Sequence, residues 1–289
     1  ITNDSVFAGL SNVETLSLTG AIDATLTAAT ATFDTIVLPA DNNTVTLDTS
    51  YGGTTTTVNI TGDTDSNDTI TNSSASTLIV VAEIEDLNGA SNTTITASAT
   101  NLNDELKLAM TGTSGELGSQ ITGFDKITIT DAAAGNTAST LNLSAYATAV
   151  TIDASALDAT DAALTVTGSS ATKSITYTGS AGADIISGSS LVGDNISTGT
   201  GNDSITATAG NNTIDAGGGV DTIAAGTGKD HIKGGAGNDL FVVTDDASFK
   251  VSGGVETVDG GLGTDTLSFT EAAALTLTAP ECYEKFGTL

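Results

Sequence analysis

Residues 198–242 read TGTGNDSIT, ATAGNNTID, AGGGVDTIA, AGTGKDHIK and GGAGNDLFV, five nine-residue units without a break. The last, at 234–242, meets the pattern G-G-x-G-x-D-x-U-x at every position, with U a large apolar residue. A second full match, GGLGTDTLS, occupies 260–268, and an earlier unit, GSAGADIIS, occupies 179–187. The apolar eighth positions are Ile186, Ile196, Ile205, Ile214, Ile223, Ile232 and Phe241. Their spacing is ten and then nine, so one residue is inserted between the first two units.

Each unit encodes a strand and a turn. The x-U-x segment is a short strand with U turned inward, and the glycine-rich segment is a turn that needs positive φ and close backbone approach. Two units complete one coil of a parallel β-solenoid, so the turns of alternate units stack. The expected fold is all-β: a parallel β-solenoid (β-helix or β-roll) with right-handed coils and short strands. Stacking aligns the sixth-position side chains in two columns. One holds Asp184, Asp203, Asp221 and Asp239, and the other holds Asp194, Asn212 and Asp230. Asp265 is the sixth residue of the unit at 260–268.

Two adjacent aspartates plus carbonyls of the glycine turns supply about six oxygens, and Ca2+ takes roughly 6–8. The fourth-position glycines Gly182, Gly201, Gly219, Gly228 and Gly237 belong to these turns. Magnesium demands stricter octahedral geometry and keeps its waters, so several Ca2+ ions are the expected cofactors. Departures from the pattern are Asn212 in place of Asp, Val192 in place of the fourth-position Gly and Thr208 in place of the second-position Gly. Sites beside 192 and 212 are expected to be weaker or empty. Without metal the stacked carboxylates repel, by on the order of 1 kcal/mol per pair about 4 Å apart in water. One large apolar residue per unit opposes this, so the repeats are expected to unfold without calcium and to fold on binding it.

Composition agrees with a strand-built solenoid. Only 4% of the 289 residues are aromatic and none is Trp, so Thr, Ser, Ala and Gly with spaced Val, Ile and Leu build the structure. Thirty-five acids face seven Lys and no Arg, a formal net charge of −28. Such a surface repels nucleic acid and anionic lipid and attracts cations. The single cysteine, Cys282, excludes an intramolecular disulfide. No run of 18 apolar residues predicts a membrane-spanning helix, and no membrane insertion is expected. No N-terminal signal peptide is visible, and a start at Ile1 instead of Met reads as a fragment or processed product.

Upstream of the repeats the period is two. SNVETLSLTG (11–20), TFDTIVLP (32–39), NTVTLDTS (43–50), TTTVNITG (55–62), STLIVVAEI (76–84) and FDKITITD (124–131) alternate apolar with polar residues. This pattern predicts half-buried strands. NLNDELKLAM at 101–110 is the one helix candidate. The expected organisation is a β-rich assembly region at 1–139, an irregular solenoid or a sandwich. Transitional solenoid rungs follow at 140–178, then the nonapeptide roll at 179–268 and a C-terminal cap at 269–289. Asp63, Asp65 and Asn67, in the run DTDSND at 63–68, resemble the start of a calcium loop. The run lacks the sixth-position Gly and twelfth-position Glu of an EF-hand, so it stays open between a solvated turn and an extra site. Phe33, Tyr51 and Phe124, with Val6 and Phe7, read as core.

The nonapeptides resemble those of the RTX (repeats-in-toxin) family, secreted bacterial proteins with a calcium-binding parallel β-roll. The resemblance implies one-step (type I) secretion of an unfolded chain that folds in extracellular calcium, with an uncleaved signal in the last residues. The phrases SNVETLSLTG, GFDKITITD, TLNLSAYATAVTIDASALDA and ALTVTGSSATKSITYTGSAGADIISG are similar to those of RTX-type surface-layer (S-layer) proteins. That similarity implies a lattice-forming, C-terminal part of a cell-surface subunit whose partners are copies of itself. Surface polysaccharide would be bound through a region outside this chain.

No catalytic constellation is visible. His231, the only histidine, sits at a repeat position, and no HExxH, GxSxG or phosphate-binding loop occurs. The expectation is a structural, non-enzymatic protein. Two other readings stand beside it. One is an RTX adhesin or a glycan- or ice-binding module, suggested by the TxT phrases TTTTVNITG and LTVTG. The other is the non-catalytic part of a secreted RTX enzyme.

Overall fold

The computed structural model describes residues 13–21, 23–27, 32–39, 42–61, 67–83, 87, 92–98, 103–110, 120–131, 139–143, 149–160, 163–168, 173–224, 226–243 and 257–269. Among them every regular element is a β-strand and every strand pairing is parallel. Odd-numbered strands in chain order form one sheet of twelve, from Thr15–Ser17 to Thr257–Leu262. Even-numbered strands form the opposite side as a sheet of five, from Asp23–Leu26 to Ile121–Thr122, and a sheet of seven, from Ser139–Asn142 to Thr266–Phe269. The chain therefore alternates sides at each step, which is a parallel β-solenoid.

The coil length varies along the axis. In the nonapeptides Thr213 pairs with His231, so one coil takes two repeat units. Upstream the coils are longer and unequal: Thr35 pairs with Thr57, Ile79 with Glu105 and Lys126 with Thr151. The same twelve-stranded sheet passes through both regions. Among the described residues the strands of 1–139 stack in register as solenoid coils, with no hairpin pairing between them.

The helix candidate at 101–110 is corrected. Glu105–Met110 is a strand, paired on one side with Thr77–Glu83 and on the other with Lys126–Asp131. Leu106 and Leu108 point inward and are fully buried, while Glu105 and Lys107 point outward. Parallel pairing on both edges satisfies the backbone and overrides the helix preference of Leu, Glu and Lys.

The core is one continuous apolar column between the sheets. In the upstream coils two inward positions per strand fill it, as in Ile127 with Ile129 and Val80 with Ala82. In the repeats Ile196, Ile214 and Ile232 stack on one side and Ile186, Ile205, Ile223 and Phe241 on the other. Phe33, Tyr51 and Phe124 are buried as core, whereas Val6 and Phe7 lie outside the described residues.

Candidate metal centre

The nonapeptide corner is built by its glycines. Gly201, Gly219, Gly228 and Gly237 all have φ between 133° and 143°, a region that strains any residue with a Cβ. A Cβ on Gly219 would also overlap the carbonyl oxygen of Gly201, and one on Gly237 that of Gly219. Gly182 lacks the positive φ, and its carbonyl oxygen is what a Cβ on Gly201 would strike. Glycine at this position lets successive turns stack carbonyl against Cα, placing a file of backbone oxygens along the solenoid edge.

Stacked turns then hydrogen-bond to one another. Gly201 N donates to Gly218 O, Gly219 N to Ala236 O and Gly237 N to Leu262 O, each at 2.7 Å. The fifth position adds a side-chain ladder not foreseen from sequence. Oδ1 of Asn202 accepts from Val220 N at 2.8 Å, Asn211 from Lys229 N at 3.0 Å and Asn238 from Thr264 N at 2.8 Å. The visible signal was the recurrence of Asn at the fifth position in three units.

The sixth-position residues form both expected columns. Each lies just before a strand, and from Asp203 in one column and Asn212 in the other each offers one oxygen to the backbone of the equivalent residue one coil earlier. Asp203 Oδ1 accepts from Asp184 N at 2.7 Å, Asp221 from Asp203 N at 2.8 Å, and Asp239 from Asp221 N at 3.0 Å. Asp265 continues the file by accepting from Asp239 N at 3.0 Å. In the second column Asn212 Oδ1 accepts from Asp194 N and Asp230 Oδ1 from Asn212 N, both at 2.8 Å. Asp184, Asp194, Asp203, Asn212, Asp221, Asp230 and Asp239 are all buried.

The second carboxylate oxygen distinguishes the steps. Oδ2 of Asp203, Asp221 and Asp239 is buried and accepts no hydrogen bond. A buried acceptor without a donor costs about 1–3 kcal/mol, more when charged. Asp184 Oδ2 instead accepts from Ser180 N at 3.0 Å, and Asp194 Oδ2 from Ser189 N at 2.6 Å. At Asn212 the amide nitrogen donates to Asp230 Oδ1 at 2.8 Å and to Gly210 O at 3.2 Å, so the side chain satisfies oxygens that a cation would otherwise take.

Electrostatics point the same way. Burial pushes the Asp184 and Asp221 carboxyls up to about 6, and the charges of Asp203 and Asp239 beside Asp221 add to its rise. Burial also raises Asp203 and Asp239. A hard cation fits the donor set of carboxylate and carbonyl oxygens. Among the described residues no three His, Cys, Asp or Glu side chains gather in one place. Each step brings two, so backbone carbonyls must complete any coordination shell. The residues therefore fit Ca2+, which Asp203 with Asp221 and Asp221 with Asp239 would hold.

The corner aspartate also recurs upstream, where the sequence analysis did not find it. Asp104 Oδ1 accepts from Leu78 N and its Oδ2 from Ser98 N, both at 2.7 Å, and Asp68 Oδ1 accepts from Asn43 N at 2.8 Å. Of the 63–68 run, Asn67 is exposed and its Oδ1 accepts from Asn92 Nδ2 at 2.8 Å, while Asp63 and Asp65 lie outside the described residues. Cys282 and the tail at 270–289 lie outside them too.

Comparison with curated proteins and with solved structures gave no match. Residues 193–223 and 216–246 match the family model of the RTX calcium-binding nonapeptide repeat. The stacked corners of this block are RTX calcium-binding repeats, and they support a place for the chain in the RTX family.

Proposed function

We propose that this chain is a structural component of the bacterial cell surface, an S-layer subunit secreted unfolded and hardened by calcium into a stiff solenoid that assembles with copies of itself. The observation that carries the calcium half is the file of buried, donorless Oδ2 atoms at Asp203, Asp221 and Asp239. Calcium, when bound, supplies the positive charge that these corners lack. Asp203, Asp221 and Asp239 would hold it together with turn carbonyls, and the ordered turns then fix the strands between them. The S-layer half is supported by the Thr/Ala-rich phrasing of the upstream coils and by one solenoid spanning both regions. No catalytic role is assigned to any residue.

Electron microscopy of the purified chain with millimolar calcium and with chelator tests the reading. Ordered two-dimensional arrays only in calcium are expected, and monomers under both conditions would refute it. The second reading, an adhesin or a glycan- or ice-binding module, draws support from one register column on the five-stranded sheet: Thr25, Thr46, Thr71, Thr96 and Thr122. Glycan binding or thermal hysteresis by a chain that stays monomeric in calcium would favour it.

A further inference from the structure

The solenoid has two sides with different charge. The outward face of the twelve-stranded sheet carries both signs, with Glu105, Lys107, Lys126, Asp153, Asp215 and Lys233 along it. Lys126 Nζ stands 3.5 Å from both Glu105 and Asp153, and Lys233 stands 3.9 Å from Asp215. The opposite side differs. On the seven-stranded sheet one outward register column runs Thr165, Ile185, Ser204, Thr222, Leu240 and Thr266. The column beside it, from Thr167 to Ser268, is equally free of charge among the described residues. On the five-stranded sheet Asp23 is the one charge among the described outward positions. Ile185 is 47% exposed in the middle of this flank.

Stacked acids repel at strand spacing and Thr suits strands, but both hold equally for the twelve-stranded face, which carries charges of both signs. The near absence of charge among the described outward positions of the opposite side is what sets the two apart. We infer that the uncharged flank formed by the seven-stranded sheet, continued by the threonine column of the five-stranded sheet, is the surface through which copies of this chain pack against one another. The inference rests on the assembly reading above and names its contact. Screening confines repulsion to about 8 Å at physiological salt, so what matters is which charges meet at the contact itself. Packing through this flank opposes no acids. Its hydroxyls both donate and accept, so two Thr and Ser faces can pair without a fixed polarity, and Ile185, Leu240 and Val242 add apolar contact.

The size of the flank fits repetition better than a lone dimer. The seven strands, about 4.8 Å apart and each showing two residues, give a strip of roughly 35 by 10 Å, and the five-stranded sheet lengthens it to at most roughly 58 by 10 Å. That stays below the roughly 800 Å² per partner of a stable pairwise interface. One such contact is weak, and association through it becomes firm only when several form together, as in a lattice.

The test is a charge placed on each side. Thr165→Glu with Thr222→Glu loads the flank, Thr165→Gln with Thr222→Gln is its neutral counterpart, and Thr176→Glu with Thr213→Glu loads the twelve-stranded face. Association of the full chain is followed by sedimentation velocity in millimolar calcium, with circular dichroism confirming the β fold of each variant. The wild type, the Gln pair and the Thr176/Thr213 pair are expected to assemble alike, and the flank Glu pair to need at least about tenfold higher concentration. Assembly of the flank Glu pair at wild-type concentration overturns the inference while leaving the assembly reading intact. Equal loss in the Thr176/Thr213 pair does the same. A wild type that stays monomeric in calcium overturns both. If that monomer binds a neutral polysaccharide and the flank Glu pair does not, the flank belongs to a glycan.

Discussion

Removing calcium should reverse the sign of the pH dependence of stability. In the metal-free fold Asp184 and Asp221 are raised to about 6 from an ordinary 3.8, chiefly by burial. A carboxyl raised on folding binds more protons in the native state than in the unfolded chain. Its penalty is absent below about pH 4 and grows to full size as pH climbs through about 6. One such shift is worth at most about 3 kcal/mol at neutral pH, and solvent relaxation lowers it toward about 2. Two of them, with smaller contributions from Asp203 and Asp239, are comparable to the roughly 5–15 kcal/mol that keeps a typical domain folded. Calcium binds only ionised carboxylates, so in its presence the effective values of Asp203, Asp221 and Asp239 fall below the ordinary one, while Asp184, whose carboxylate Ser180 already satisfies, keeps its rise. Stability is then held at neutral pH and lost on acidification. A free concentration one hundred times Kd adds about 2.7 kcal/mol per site. Urea melts followed by circular dichroism at pH 5 and pH 7, in chelator and in calcium, measure the four stabilities. In chelator the fold is expected to be more stable at pH 5, and in calcium at pH 7. Asp221→Asn should flatten the chelator slope. Slopes of the same sign in both conditions, or a chelator slope unchanged by that substitution, would refute the assignment of these corners.

Substitutions at single positions separate the remaining parts of the account. Gly219→Ala should cost at least about 2 kcal/mol by chemical denaturation in calcium, because of its φ of 140° and the overlap with Gly201 O, whereas Gly218→Ala, whose nearest neighbours lie 3.9 Å away, should cost under about 1. Asn212→Asp should raise the calcium stoichiometry or tighten binding in titration calorimetry, since a carboxylate replaces the amide that now donates to Asp230. Asn238→Ala should lose about 1 kcal/mol in the same melts through the bond to Thr264 N. Leu106→Ala should cost about 2–5 kcal/mol as a fully buried core truncation, and its outward neighbour Lys107→Ala under about 0.5.

The repeats were legible because period, fold and ligand share one spacing. Ile196, Ile205, Ile214 and Ile223 fall nine apart, and the structure places them alternately on the two sides. Upstream, strands were visible as alternation, but their stacking was not. The steps from Thr35 to Thr57, from Ile79 to Glu105 and from Lys126 to Thr151 differ in length, so the variation lies in the turns and no fixed period survives in the sequence. NLNDELKLAM misled for a physical reason. Leu102, Leu106, Ala109 and Met110 lie at helical spacing, while Leu106, Leu108 and Met110 lie at strand spacing. Two waiting strand edges decide between them, and edges are invisible to local pattern.

The corner aspartate shows how one device serves two ends. At Asp104 both carboxylate oxygens accept backbone N–H groups, from Leu78 and Ser98, and the corner closes on the protein alone. At Asp184 and Asp194 a neighbouring serine supplies both N–H and hydroxyl to the carboxylate. At Asp203, Asp221 and Asp239 the glycine-rich turn stacks its carbonyls along the solenoid edge and leaves Oδ2 without a donor. The fold therefore does not need calcium at every corner. On the calcium reading a positive partner serves where the turn offers no serine, as at Asp203, Asp221 and Asp239 in the nonapeptide block.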